Sequence, residues 1–245
     1  MRERWLRDAL ELAGLPLPGT FPRAIVADAQ KILPVSFVCL DEVRPHSIRA
    51  YLSRRGWKSI PVKGNDDRDM HGCIVPMRGT AFLFYSRSDP VEEQRFTCAH
   101  ELAHFVLDHL TPRRRALRFF GESILPVLDN QERPTQEQLL TSALDGVPVK
   151  DQSHLMERDD TGAIDTGDVF RAEQRADRLA FEWLAPESVA SPFMKQGTHE
   201  EQAARLQRSF GLPLRKAEAY ARVLRRRAGA PRFSLASVLG ERSPS

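Results

Sequence analysis

Apolar positions recur along this chain at two spacings, and the change from one to the other outlines its elements. Residues 2–13, RERWLRDALELA, set apolar side chains among charges at helical spacing, and Gly14 supplies the stop. A second helix is expected to open at Thr20 and Pro22 and to end before Pro34; both read as peripheral cover. VSFVCL, residues 35–40, is β-branched and aromatic enough for a strand. Asp41 and Pro45 then open a helix over SIRAYLSRR that Gly56 closes. HGCIVPMRGTAFLFYS places two apolar runs around Arg78-Gly79-Thr80, the pattern of an antiparallel hairpin. Residues 91–110 read as one long helix, capped by Ser88 or Asp89 and with Pro90 at its first turn.

Past Pro112 the period weakens. Residues 111–167 read as a loop-rich insertion holding a short helix at 135–144 and the polar stretch ERDDTGAIDTGD, a segment suited to act as a lid or substrate-contacting arm. A strong helix returns over 168–184, with Val169, Ala172, Ala176, Leu179, Ala180 and Trp183 on one stripe and Pro186 as its stop. Residues 200–227 form a helical pair broken at Gly211-Leu212-Pro213, and the tail beyond Gly229 reads as loosely ordered. The expected class is α+β: a small antiparallel sheet with surrounding helices over residues 1–190, then a helical extension and tail over 191–245.

Composition narrows this further. A chain of 245 residues, 41% apolar, has enough material for one generous core. A net charge of +3 with arginine clusters at 113–115 and 225–227 permits nucleic acid as a partner without demanding it. Three cysteines, Cys39, Cys73 and Cys98, with no CxxC pair describe neither a disulfide framework nor a thiolate metal site. No run approaches the roughly 18 apolar residues of a membrane span, so the expectation is a reduced, cytoplasmic protein without a membrane partner. Its oligomeric state is not written in the sequence.

The stretch FTCAHELAHFVLDH, residues 96–109, holds three of the chain's seven histidines and falls on the long helix. Helical positions i and i+4 share a face with Cβ atoms about 5–6 Å apart, so His100 and His104 direct ring nitrogens to one point. That spacing suits zinc, which bonds imidazole at roughly 2.0–2.1 Å. Glu101 emerges about 100° round the helix, badly placed to ligate but well placed to take a proton from water. Two histidines leave a metal under-coordinated. Glu173 is the leading third ligand, because it is charged yet borders the apolar stripe of the 168–184 helix; Asp108, Glu122 and His154 stand in reserve. Asp177, one turn further, is placed to accept the second N–H of a ligand imidazole, with His100 the favoured partner. Cys98 lies on another side of the helix and reads as core, and His109 as a charge near the helix C-terminus. The rival for this face is a pair of hydrogen-bonded histidines with no ion, Glu173 then being a carboxylate favoured by its helix dipole.

RFTCAHELAHFVLDH, followed by EQRADRLAFEWLAP with its Glu173, Ala-Asp pair and final Leu-x-Pro, resembles the ImmA/IrrE metallo-endopeptidases. The likeness extends through GCIVPMRGTAFLFYSRSDP upstream and LQRSFGLPLRKAEAYARVL downstream, roughly residues 20–225. It implies a compact zincin-like, gluzincin-type peptidase fold in which His100, His104 and Glu173 bind zinc, with manganese as the alternative, and Glu101 is the general base. It also implies a protein substrate, a helix-turn-helix repressor whose cleavage induces stress, DNA-damage or mobile-element genes. Ala103, Ala185 and Asp177 depart mildly from the family pattern, and the 69 positions between His104 and Glu173 exceed the few tens usual there. Tyr85, His71 and His154 are the polar candidates for stabilising an oxyanion. The strand at 81–85 is expected to offer an edge to an extended substrate. Two other classes compete: a DNA-binding regulator, since residues 206–227 have the outline of a helix-turn-helix, and an inactive interaction protein whose site the 111–167 insertion covers.

Overall fold

The first helix, α1 (Arg4–Ala13), buries Leu6, Ala9 and Ala13 and ends where Gly14 turns left-handed at φ 63°. This computed structural model describes residues 3–57, 68–145 and 167–229. The second helix, α2 (Ile25–Gln30), is shorter than its punctuation suggests, because residues 19–22 are bends and the helix begins only at Ile25. Strand β1 (Val35–Leu40) comes next, then α3 (Pro45–Arg54) with its proline in the first turn.

β2 (Gly72–Met77) and β3 (Thr80–Ser86) make the expected hairpin. Its two-residue loop, Arg78-Gly79, has φ of 49° and 78°, the paired positive values of a tight hairpin turn. The sheet differs from the expected antiparallel one. β1 runs parallel to β3, pairing Val35 with Ala81 through Leu40 with Ser86, so the sheet is mixed with order β1-β3-β2. The chain leaves β1, crosses one face through α3, enters at the far edge as β2 and hairpins back into the middle, which makes β3 antiparallel to β2 and parallel to β1. The expected substrate edge is corrected with it: the strand at 81–85 is central, and among the described residues the outer strand on the hairpin side is β2.

Both faces of the sheet are covered. On one, Ile48 and Leu52 of α3 pack with Val38, Val75, Met77 and Phe84. On the other, Ala81 and Leu83 join the main core under α4 (Val91–His104) and α8 (Gly167–Leu184). The helix expected over 91–110 is continuous, but its hydrogen-bond ladder widens to π over Phe105–Leu110 and runs on as α5 (Thr111–Phe120). Pro112 lacks an N–H and crowds the carbonyl four residues back; the widened turn just before it accommodates that clash, and the Thr111 hydroxyl donates to the Val106 carbonyl at 2.7 Å. Within the stretch expected to be loop-rich, α5, α6 (Leu125–Leu128) and α7 (Gln136–Asp145) are helical; residues 146–166, with His154, lie outside the described residues.

After α8 come the short α9 (Glu187–Ala190), then α10 (His199–Phe210), closed at both ends by a Thr198/Glu201 capping box and a left-handed Gly211, and α11 (Leu214–Arg227). Leu206, Phe210, Ala217, Tyr220, Ala221 and Leu224 belong to the same core cluster as α4 and α8. Tyr220 stacks on Phe181 at 4.4 Å and donates its hydroxyl to the Ala185 carbonyl at 2.8 Å. The apolar stripe of α11 therefore packs onto the body of the fold instead of supporting a projecting recognition helix. Arg227, in the basic run, is held by Glu187 and Glu3 at 2.7 and 2.8 Å. The tail expected beyond Gly229 lies outside the described residues, among which no helix is long and apolar enough to cross a membrane.

Candidate metal centre

α4 and α8 lie side by side in the core, where Ala99, Ala103, Ala176 and Ala180 are all fully buried and Phe96 of α4 meets Phe181 of α8 at 5.4 Å between ring centres. Against this background the polar residues of the two helices converge. His100 Nε2 and His104 Nε2 are 3.1 Å apart, and the two oxygens of Glu173 each stand 3.3 Å from one of them. A tetrahedral ion with bonds of roughly 2.0–2.1 Å needs ligand atoms about 3.3–3.4 Å from one another. The nitrogen–nitrogen and the two nitrogen–oxygen separations are already close to that size, and one ligand atom from each residue can be chosen with all three within 4.8 Å of one another. Glu173 Oε1 is buried, with His104 Nε2 beside it at 3.3 Å.

Each imidazole is fixed from behind. His100 Nδ1 lies 2.8 Å from Asp177 Oδ1, and His104 Nδ1 lies 2.8 Å from Asp108 Oδ2. Donation from Nδ1–H to a carboxylate leaves Nε2 as the lone-pair nitrogen, and both Nε2 atoms face Glu173. Asp108, a reserve ligand by sequence, orients His104 instead, through the same i, i+4 spacing that pairs the histidines. Glu122, the other described reserve, sits on a separate 3₁₀ turn and is not part of the cluster.

Burial favours the neutral imidazoles, but the flanking carboxylates outweigh it. His100 is raised by Asp177 and Glu173, and His104 is pushed up to about 10 by Asp108 and Glu173. Burial likewise works against the Glu173 and Asp177 carboxylates, yet their histidine partners pull both below the usual carboxylate range. The cluster thus attracts positive charge strongly, and a divalent ion would displace protons from it. Its oxygen and nitrogen donors, with no thiolate, are a borderline-hard set that zinc accepts. Cys98 and Cys73 are buried among apolar groups, and burial raises both thiols, Cys98 to about 12, so neither competes as a ligand.

Glu101 is 6% exposed and does not join the triangle. Its charge nonetheless acts on both His100 and His104. A sequence reading misses the residue packed beneath it: Gly72, at the start of β2. A Cβ built there would stand 2.3 Å from Thr97 Cγ2, 3.1 Å from the Phe84 carbonyl oxygen and 3.2 Å from Glu101 Cγ. Only a residue without a side chain lets α4 sit this close to the edge strand. The Ser86 N–H donates to the His71 carbonyl, and in an antiparallel ladder bonded pairs alternate. Cys73, Val75 and Met77 therefore bond to β3, whereas Gly72, Ile74 and Pro76 turn their backbone groups outward. Pro76, which has no N–H to offer a ladder, falls on the outward set.

Two of the three oxyanion candidates fall among the described residues, and His154 does not. Burial, with Cys39 of β1 and Cys98 of α4 beside it, raises the Tyr85 hydroxyl. His71 is exposed and bonds Asp89, ahead of α4, at 2.9 Å. A cleft of ≈ 550 Å³ bounded by Trp5, Leu12, Leu107, Arg115 and Arg175 is also separate from the cluster.

Residues 57–143 match the family model of the IrrE N-terminal-like domain, Peptidase_M78. The matched span contains His100, Glu101 and His104 and ends before Glu173. The family resemblance carried by the motifs is thus reproduced over that span. No curated protein and no solved structure matches the chain.

Proposed function

We propose, from the match to a metallopeptidase family and the geometry beside it, that this chain is a zinc-dependent endopeptidase. The observation that carries the reading is the convergence of His100 Nε2 and His104 Nε2, 3.1 Å apart, on the half-buried Glu173 carboxylate, each nitrogen 3.3 Å from one of its two oxygens. When bound there, zinc, or manganese as the alternative, supplies Lewis acidity and brings the pKa of water towards about 7.

The chain's own residues do the rest. Asp177 and Asp108 hold the two imidazoles in the tautomer that presents Nε2. Glu101, buried beside the histidines, takes a proton from the attacking water and passes it to the departing amine. The outward N–H and C=O groups of Gly72 and Ile74 lie on the edge next to Glu101 and accept an extended peptide as a further strand, a mode that reads backbone more than side chains. Selectivity then comes from docking elsewhere on the partner. By family resemblance the substrate is a helix-turn-helix repressor, and its cleavage in the cytoplasm induces stress, DNA-damage or mobile-element genes.

The test is Glu101→Gln. The amide keeps the shape and cannot accept the proton, so the variant should retain one equivalent of zinc and lose about 10²-fold or more of the wild-type hydrolysis rate. Undiminished turnover would remove Glu101 from the mechanism.

A further inference from the structure

We infer that Lys216, on the last described helix, is a positioning residue of the metal centre that acts on His100 through Asp177; the inference rests on the metal reading above. Lys216 Nζ bonds both carboxylate oxygens of Asp177, at 3.0 and 2.9 Å, and Asp177 Oδ1 in turn takes the His100 Nδ1 proton at 2.8 Å. A carboxylate that met only the imidazole would be free to turn about its last torsion. Two further contacts to one ammonium remove that freedom and fix the direction in which the His100 ring is held.

The ammonium is itself located from a second side. It stands 4.5 Å from the centre of the Phe96 ring, and Phe96 lies one helical turn before His100, with ring centres 6.1 Å apart. Phe96, His100, Asp177 and Lys216 therefore close a loop that joins α4, α8 and α11. The position of Lys216 also calls for an explanation. It is the third residue of α11, whose first turn carries no acidic side chain and, besides Lys216, the cation of Arg215. A cation at a helix N-terminus opposes the helix dipole, and Asp177, at 29% side-chain exposure, is the partner that offsets it. The sequence shows Lys216 as one more charge in a basic helix 39 residues beyond Asp177. Only the fold reveals that it faces the site.

The experiment measures zinc affinity by competition with a chromophoric chelator in the full chain, for wild type, Lys216→Met, Lys216→Arg, Asp177→Ala and the Asp177→Ala/Lys216→Met double variant, with the melting midpoint of each metal-free protein as a check on folding. Lys216→Met should weaken zinc binding by about tenfold or more, in the range seen when groups behind a metal ligand are removed. Lys216→Arg, which keeps the charge, should return to within about threefold of wild type. The double variant should bind no more weakly than Asp177→Ala alone, because both changes interrupt one path. Wild-type affinity in Lys216→Met, or an equal loss from that change with and without Asp177, overturns the inference while leaving the metal centre intact. Failure of the wild type to take up one equivalent of zinc overturns the metal reading and this inference with it.

Discussion

Replacing Gly72 by alanine tests how tightly the edge strand is fitted under the helix that carries Glu101. The added Cβ would meet Thr97 Cγ2 at 2.3 Å, whereas carbon atoms rest at about 3.5–4.0 Å. Something must move by more than about 1 Å. The Phe84 carbonyl at 3.1 Å belongs to the central strand and cannot yield, so the displacement falls on α4, on Thr97 and on Glu101 Cγ at 3.2 Å. Overpacking of this kind costs about 1–3 kcal/mol, which in a domain of this size lowers the melting midpoint by roughly 2–4 °C for each kcal/mol. Misplacement of a reacting group by about 1 Å costs on the order of 10² in rate. Gly72→Ala should therefore lose about a hundredfold in kcat, measured on the peptide that wild type cleaves fastest from a library. Zinc affinity should stay within about threefold, since Asp177 and Asp108 orient the histidines from the far side. Adding Thr97→Ser deletes the methyl group in the closest contact and should recover part of both rate and midpoint. Wild-type kcat and midpoint in Gly72→Ala, or no recovery on adding Thr97→Ser, would refute the steric argument.

The same geometry carries other expected outcomes. Asp108→Asn leaves His104 without its carboxylate and should weaken zinc binding by about 10–100-fold, read by chelator competition; unchanged affinity would show that the π-helical turn holds His104 unaided. The raised imidazoles give a pH dependence. His104, ordinarily near 6.5 and here about 10 without metal, contributes stability that is complete below pH 6.5 and disappears as pH rises through about 10. Glu173, lowered from 4.5, contributes above pH 4.5 and loses its share as pH falls through its depressed value. The metal-free protein should therefore lose the His104 contribution between pH 6.5 and about 10, while zinc, which must displace the His104 proton, binds more tightly over that window. Melting curves with and without chelator should diverge as pH rises, and less so in Glu173→Gln; convergence would contradict the assigned partners.

The local parts of this account are legible in the sequence, and the non-local parts are not. β1, the Arg78-Gly79 turn, α4 through His104 and α8 are announced by period and punctuation close to their observed bounds. The histidine pair is likewise local, because i, i+4 spacing alone brings its ring nitrogens together. Glu173 is readable as a charge on an inward stripe. That β1 pairs parallel to β3 depends on a crossover through α3, which hydrophobic period does not record, and the error over which strand is free stems from it. The π turn hides behind an ordinary apolar pattern, since the pattern continues smoothly and only the ladder changes. Gly72 reads as an ordinary strand-end glycine until Thr97 of α4 is seen 2.3 Å from where its Cβ would be. Lys216 offers no signal at all, because its meaning lies entirely in the way Asp177 faces.

His100, His104 and Glu173 should hold one divalent ion in common. Anomalous diffraction collected on either side of the zinc absorption edge, from crystals grown with one equivalent of zinc, addresses it directly. A single strong peak is expected roughly 2 Å from His100 Nε2, His104 Nε2 and a Glu173 oxygen, absent from crystals of Glu173→Ala. A peak elsewhere on the chain, or none at that triangle, would contradict it.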